Sequence, residues 1–329
     1  MRRVLARAAA VLRSPAVRWG FLVVAVGLAL WYVVDARDDL ADAAGMLSGG
    51  TLAAVAGLGF VYVWCTLIAW RAVLSDLGSP LSLRDAVSVF GLSQLGKYLP
   101  GGVWNVVAAA EIGADHSIPR HRSVASMGVA VLVSVVSGAA VGAVALPFVS
   151  ADATQDALGT WGWVVWVTPA IAVVLLPPVL NRLIGLALRL GGREPLARPL
   201  TWGGLAAVTA WSVAGWLVAG AQTWVLATGL GMTPSARTFA LAVGGWALAW
   251  TVGFLVVLAP AGAGVREVVL AGVLAGSLPG AAAPLAVLVS RVVLTAIDGV
   301  LAGAGLLLAR RRGRRRTPDE PISKITRSS

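Results

Sequence analysis

Two short segments interrupt the apolar sequence with charged and helix-breaking residues. They are residues 94–105, QLGKYLPGGVWN, and residues 260–267, PAGAGVRE. A bilayer interior accommodates broken helices and ionised side chains only where they are buried in protein or line a polar cavity. Each segment is therefore predicted to belong to a functional site, and two such segments in one chain suggest a transport path.

The first segment offers one cation and two aromatic side chains. Lys97 lies three residues before Pro100, where its ammonium group could meet an anionic group, and Tyr98 and Trp104 add amphipathic surface beside it. The alternative is that Lys97 extends to the membrane interface and that the aromatic residues belong to an interfacial belt. Glu111, at the end of the next arm, could pair with Lys97 only in one register of the two arms.

The second segment places Arg266 and Glu267 at the beginning of a helix. A helix N-terminus offers free backbone N–H groups to a phosphate, and arginine can hold phosphate oxygens in a bidentate fork. Glu267 suits a first turn because of the helix dipole. The alternative is an internal ion pair, either between these two residues or with Arg291 and Asp298. The latter two lie seven residues apart on one face of the last apolar segment.

Proline and glycine residues are predicted to form the turns between the arms of each broken segment. A proline removes a backbone donor and adjacent glycines add flexible joints, so an unwound turn is expected rather than a kink. The turn residues are Pro100, Gly101 and Gly102 in the first segment, and Pro260, Gly262 and Gly264 in the second.

The composition indicates an all-α, polytopic integral membrane protein. Of 329 residues, 58% are hydrophobic and 12% are charged, whereas soluble domains are about 45–50% apolar. The mean hydropathy is +0.84. We expect one transmembrane domain at residues 19–309, between a basic cytoplasmic arm at 1–18 and a basic, disordered cytoplasmic tail at 310–329.

Apolar segments near the ~20 residues of a spanning helix predict six full spans. These are residues 19–34, 51–74, 124–149, 161–180, 202–228 and 285–309. Residues 83–112 and 239–277 contain the two breaks and are predicted to be re-entrant helical hairpins. About eight simple spans, with a short crossing at 265–277, is the alternative.

The distribution of basic residues predicts the orientation. The net charge is +11, and Lys and Arg gather at the chain ends and in alternate loops, which places both termini in the cytoplasm of a plasma (inner) membrane protein. The first hairpin then enters from the cytoplasm and the second from outside, as in an inverted repeat. Because the basic residues do not interleave with aromatic residues on one face, we expect no nucleic-acid partner.

Other reactive residue types lack a recognisable site. Cys65 is the single cysteine, and His116 and His121 are expected to be solvent-exposed loop residues without a metal-ligand set. Polar residues within spans, such as Gln222 and Ser290, are predicted to form interhelical hydrogen bonds. The sequence has no P-loop, nucleophile elbow or dinucleotide fingerprint, so we expect no cofactor, no metal and no catalytic residue of those classes.

The motifs at residues 97–104 and 260–267, in this order and spacing, resemble the lysylphosphatidylglycerol synthase transmembrane (flippase-like) family. The resemblance covers residues 51–309 and is to stand-alone members similar to the N-terminal membrane module of the multiple peptide resistance factor. It implies an all-helical domain that moves a charged or phosphorylated lipid between leaflets. The residues carried over are Lys97, Pro100, Gly101, Gly102, Pro260, Gly262, Gly264, Arg266 and Glu267. No aminoacyltransferase domain is expected in this chain.

Three functional hypotheses follow. The first is a flippase for a membrane phospholipid or other anionic lipid, with substrate-binding residues Lys97, Tyr98, Trp104, Arg266, Glu267, Arg291 and Asp298. The second is an intramembrane transferase acting on a lipid-phosphate or polyprenyl-phosphate, with Glu111, Glu267 or Asp298 as the base. The third is a membrane partner of a separately encoded lipid-modifying or envelope-synthesis enzyme.

Overall fold

The computed structural model describes residues 38, 42, 45–98, 103–145, 173, 175–190, 192, 196, 198–255, 264–279 and 281–316. These residues form nine α-helices and one 3₁₀-helix, with no β-strand among them. The helices are α1 (Gly49–Asp76), α2 (Leu83–Gln94), the 3₁₀-helix (Leu95–Tyr98), α3 (Trp104–Ala114), α4 (Arg120–Ala145), α5 (Pro177–Leu190), α6 (Trp202–Gly229), α7 (Ala236–Leu255), α8 (Val265–Ala275) and α9 (Ala282–Arg316).

Five of these helices, α1, α4, α6, α7 and α9, are long and apolar enough to cross a membrane, with mean hydropathies from 1.5 to 2.2. The predicted all-α, multi-pass membrane fold is therefore confirmed. Helices α1, α4, α6 and α9 correspond to four of the six predicted spans, and α7 is an arm of the second predicted hairpin. The predicted span at 19–34 and most of the one at 161–180 lie outside the described residues. Helix α9 continues to Arg316, so the first seven residues of the predicted tail are helical.

The first predicted hairpin consists of α2 with its 3₁₀ extension and α3. At its open end, Nε2 of His116 lies 3.4 Å from Oδ1 of Asp85. At its tip, a Cβ on Gly96 would lie 2.6 Å from the backbone of Trp104 and of Asn105. The arms are therefore antiparallel. The prediction that His116 is solvent-exposed was wrong: its side chain is 6% exposed and Nδ1 lies 3.1 Å from the Ile112 carbonyl oxygen, because the loop folds back onto α2.

The second predicted hairpin consists of α7 and the shorter α8. Gly253 packs against Arg266 near the tip, and Gly245 packs against Val273 further along the arms. Residue numbers rise along one arm as they fall along the other, so these arms are also antiparallel. The turn residues at 256–263 lie outside the described residues, as do those at 99–102 in the first hairpin.

Helices α1 and α6 form an antiparallel pair at the centre of the bundle. Gly229 packs against Thr51 at one end of the pair, and Gly204 packs against Asp76 at the other. Between them, Gln222 donates to the Val55 carbonyl oxygen (3.1 Å) and accepts from Ser290 of α9 (3.3 Å). These bonds confirm the predicted interhelical role of the two polar residues, which satisfy each other away from water.

The two halves of the bundle, α1–α4 and α6–α9, repeat the order span, hairpin, span. Helix α2 packs on α9, and α7, its counterpart in the second half, packs on α4. Likewise α1 packs on α9 as α6 packs on α4, and α3 packs on α4 as α8 packs on α9. Since α1 and α6 are antiparallel, the hairpins that follow them open at opposite ends of the bundle. This is the arrangement expected of an inverted repeat.

Candidate functional site

Helix α9 receives a charged contact from the first hairpin. Nζ of Lys97 lies 2.6 Å from Oδ2 of Asp298, and the Tyr98 hydroxyl donates to the same oxygen at 2.6 Å. The Asp298 side chain is 3% exposed, whereas that of Lys97 is 32% exposed. The other carboxylate oxygen, Oδ1, is buried without a hydrogen-bond partner among the described residues. The break in the first hairpin therefore brings its cation onto a buried carboxylate.

The second hairpin contacts α9 with a carboxylate. Arg291 donates to Oε1 of Glu267 at 2.8 Å, and the Gly264 backbone N–H donates to Oε2 of Glu267 at 2.7 Å. Gly264 has φ of +85°, a conformation that side-chain-bearing residues rarely adopt. The glycine before the helix therefore allows the sharp entry into α8, and Glu267 both caps that helix and holds Arg291.

Arg266 of the second hairpin is less tightly paired with Glu267 than Arg291 of α9 is. Its Nε lies 3.9 Å from Oε1 of Glu267, and its side chain is 14% exposed. Its guanidinium lies 5.0 Å from the centre of the Trp246 ring on α7, within cation–π distance. The Trp246 Nε1–H is buried without a hydrogen-bond partner among the described residues. The Trp246 ring thus stabilises the Arg266 cation in place of a close carboxylate.

Tyr62 of α1 packs against the Trp246 ring on which Arg266 lies. Its ring packs edge-on against Trp246, with 6.1 Å between ring centres, and it lies within electrostatic reach of both Arg266 and Asp298. Sequence reasoning missed Tyr62 and Trp246 because each lies inside a long apolar helix. One signal was available: the chain has only three tyrosines, and two of them, Tyr62 and Tyr98, lie at this site.

The spacing along α9 brings the two contacts onto one face. Seven residues separate Arg291 from Asp298, which is two helical turns and about 10 Å along the axis. The described structure therefore places the charged residues of both broken segments along one side of one helix. Ion pairs with Arg291 and Asp298 are the predicted alternative to phosphate binding, and the structure contains such pairs. Lys97 and Arg266 remain partly accessible.

The other predicted site residues are distributed as follows. Trp104 begins α3 and is 46% exposed, outside the ion pairs at α9. Glu111 does not pair with Lys97: it accepts from Arg120 at 2.9 and 2.7 Å on an exposed surface. The turn residues Pro100, Gly101, Gly102, Pro260 and Gly262 lie outside the described residues.

A small cavity adjoins Tyr62 between α1, α4, α6 and α7. Its volume is about 30 Å³, which is room for one water molecule. The Ser212 hydroxyl is buried there without a hydrogen-bond partner in the described part of the chain. The lining residues are Tyr62, Thr66, Ser134, Ser212, Gly215, Trp216 and Trp250.

A larger open cavity of about 570 Å³ lies away from the ion pairs, where α1 ends and α6 begins. Of its polar residues, Arg71 donates to the Leu81 carbonyl oxygen at 2.9 Å. Asp76 accepts from the backbone N–H of Thr201 at 2.7 Å and from its hydroxyl at 2.8 Å. These groups join helix ends. Within the described residues, no group of three or more His, Cys, Asp or Glu side chains is placed to hold a metal ion.

Comparison with known proteins identifies one family. The family model described as "Lysylphosphatidylglycerol synthase TM region" matches residues 9–302, which is most of the chain and includes every described residue of the charged site. No curated protein and no solved structure matches the chain.

Proposed function

Because this chain belongs to the lysylphosphatidylglycerol synthase transmembrane family, we propose that it is a flippase. It moves a lipid with an anionic or phosphorylated headgroup between the leaflets of the plasma membrane. In this proposal both termini lie in the cytoplasm, the first hairpin enters from the cytoplasm and the second from outside.

One observation carries the proposal: both broken segments direct charged residues to the same face of α9. Moving a phosphate headgroup through hydrocarbon is costly because the charge loses its water. Cations held by the surrounding protein lower that cost, and charge-assisted hydrogen bonds to phosphate are among the strongest in proteins. Among the described residues of this site, Lys97 of the first hairpin and Arg266 of the second are the two partly accessible cations that do not lie on α9.

The opposite orientation of the two hairpins supports a stepwise path. One hairpin opens toward each end of the bundle, and sites built from discontinuous helices at a repeat interface are typical of transporters. The headgroup meets the cation of one hairpin first and passes to that of the other, while the acyl chains remain in the bilayer. Tyr62 and Trp246 supply aromatic surface beside Arg266.

Reconstitution into vesicles tests this proposal. The vesicles contain an acyl-chain-labelled anionic phospholipid, and a membrane-impermeant quencher reports the label that reaches the outer leaflet. We expect the wild type to flip the lipid and Lys97→Ala/Arg266→Ala to be slower by about tenfold or more, since hydrogen bonds to charged groups contribute about 1.5–3 kcal/mol each.

The control variant is Arg120→Ala. It also removes one arginine, but from an exposed ion pair with Glu111, and should flip lipid at the wild-type rate. Equal rates for the wild type, empty vesicles and the double variant would defeat the proposal.

A further inference from the structure

The charged residues within the site do not balance. The cations are Lys97, Arg266 and Arg291, and the anions are Glu267 and Asp298. Residues 99–102 and 256–263, which lie outside the described residues, contain no charged residue in the sequence. The other charged residues of the described helices lie near helix ends or in α5. Among the described residues of the site, three positive and two negative charges therefore leave a surplus of one positive charge.

The surplus charge lies on Arg266. Lys97 has Asp298 at 2.6 Å and Arg291 has Glu267 at 2.8 Å, so each carboxylate is already engaged with another cation. Arg266 is 3.9 Å from Glu267 and otherwise stacks on Trp246. A cation–π contact stabilises a cation but does not neutralise it. Arg266 is thus the cation for which an external anion is the missing partner.

We infer that the headgroup taken by this site carries one net negative charge, as in a phosphodiester without an amine. The inference rests on the proposed function and narrows its substrate class. A phosphodiester monoanion at Arg266 brings the three cations and two carboxylates to overall neutrality, the least costly state for a group of charges in a low-dielectric interior.

Other headgroup charges fit less well. The cost of removing an ion from water rises with the square of its charge, whereas its attraction to a single surplus cation rises only in proportion. A phosphomonoester dianion therefore gains less than it loses and leaves the site with net charge −1. A zwitterionic headgroup brings an ammonium group, which leaves the surplus at +1 and finds both carboxylates occupied.

Three acyl-chain-labelled lipids in the vesicle assay test the inference: phosphatidylglycerol (−1), phosphatidylethanolamine (0) and phosphatidate at pH 8.5 (close to −2). We expect the wild type to flip phosphatidylglycerol about tenfold or more faster than either of the others, since one unit charge in a partly buried site exceeds the 1.4 kcal/mol that this ratio represents. Only the lipid carries the label, so free phosphate gives no signal.

Variants that change the charge of the site should change the preference in a fixed direction. Glu267→Gln and Asp298→Asn each raise the surplus to +2 by disrupting a different ion pair, and both should move the preference toward phosphatidate. Arg266→Gln lowers the surplus to zero and should remove the preference for phosphatidylglycerol over phosphatidylethanolamine. Glu111→Gln changes the charge outside the site and should keep the wild-type order.

The outcomes separate this inference from the proposed function. Transport of all three lipids at equal rates by the wild type, or of phosphatidate fastest, would overturn the inference while the flippase proposal stands. No transport of any lipid above empty vesicles would overturn both. If one carboxylate variant does not fold, the other still tests the shift, and the wild-type order is decisive alone.

Discussion

The two hairpins contact the same helix with opposite arrangements of charge. The first hairpin brings a cation, Lys97, to a buried carboxylate of α9, whereas the second brings a carboxylate, Glu267, to an arginine of α9. The carboxylate of the first contact is 3% exposed, and that of the second is 27% exposed. The difference teaches that two hairpins of inverted topology need not make equivalent contacts. The first contact buries its carboxylate, and the second leaves a neighbouring cation, Arg266, 3.9 Å from the carboxylate that already pairs with Arg291.

The largest expected effect is a difference in the free energy of unfolding between variants of the two contacts. Asp298→Ala leaves Lys97 and the Tyr98 hydroxyl without their common acceptor, and losing one partner of a buried ion pair costs about 3–5 kcal/mol. Glu267→Ala removes hydrogen bonds to a more exposed carboxylate, for which about 1.5–3 kcal/mol is expected. Unfolding of the detergent-solubilised protein measures both. An equal loss in the two variants would contradict the contrast between a buried and a partly exposed contact.

Variants of the two cations, Arg266 and Lys97, are expected to affect the flip rate and the free energy of unfolding differently. Arg266→Ala loses a cation–π contact of a largely buried cation, about 2 kcal/mol, and removes the surplus charge, so we expect the flip rate to fall by more than this loss of stability explains. Lys97→Ala leaves Asp298 buried and unpaired, so both the flip rate and the unfolding free energy fall. Flip assays and unfolding on the same preparations compare them. A larger stability loss for Arg266→Ala would reverse the roles assigned to the two hairpins.

Glycines permit each hairpin by different means. Gly96→Ala would place a Cβ 2.6 Å from the backbone of Trp104 and Asn105, and overpacking of this kind costs about 1–3 kcal/mol. Gly264→Ala keeps open space around the new Cβ but forces alanine to φ of +85°, which costs on the order of 1–3 kcal/mol. Gly272→Ala on α8 meets nothing within 4 Å and is the neutral control. Unfolding of all three separates steric from conformational effects.

The smallest expected effect concerns a single hydroxyl. Tyr98→Phe removes one donor to Asp298 but keeps the Lys97 ion pair, so a loss of about 1 kcal/mol is expected. Glu111→Gln, in the exposed pair with Arg120, should cost less than about 1 kcal/mol. If Tyr98→Phe destabilises as much as Asp298→Ala, the hydroxyl rather than Lys97 holds the first hairpin to α9.

Local sequence features predicted most of the long helices that the structure describes. The length and apolarity of each segment matched α1, α4, α6 and α9, because a helix must satisfy its own backbone in a bilayer. The prolines and glycines predict that the arms end at the breaks, since helix breakers act within a turn or two of their position; most of these turn residues lie outside the described residues. The charged residues of interest were also visible, because ionised groups are rare in apolar segments.

The pairing of these residues could not be predicted. Tyr98 and Asp298 are 200 residues apart, and their contact depends on α2 packing against α9, which local patterns do not encode. Glu111 does not pair with Lys97, because the arm places Glu111 at the far end from the tip, beside Arg120. His116 was misjudged because a polar loop next to a hairpin can fold onto it.

The length of α9 has a mechanical consequence. With 35 residues it extends about 50 Å, whereas the hydrocarbon layer is about 30 Å thick. One helix therefore carries both hairpin contacts and ends in a run of arginines beyond them. Because Arg291 and Asp298 share a face of α9, a rotation of this helix about its long axis turns both residues by the same angle. A displacement of its arginine-rich end would therefore move both hairpin contacts together.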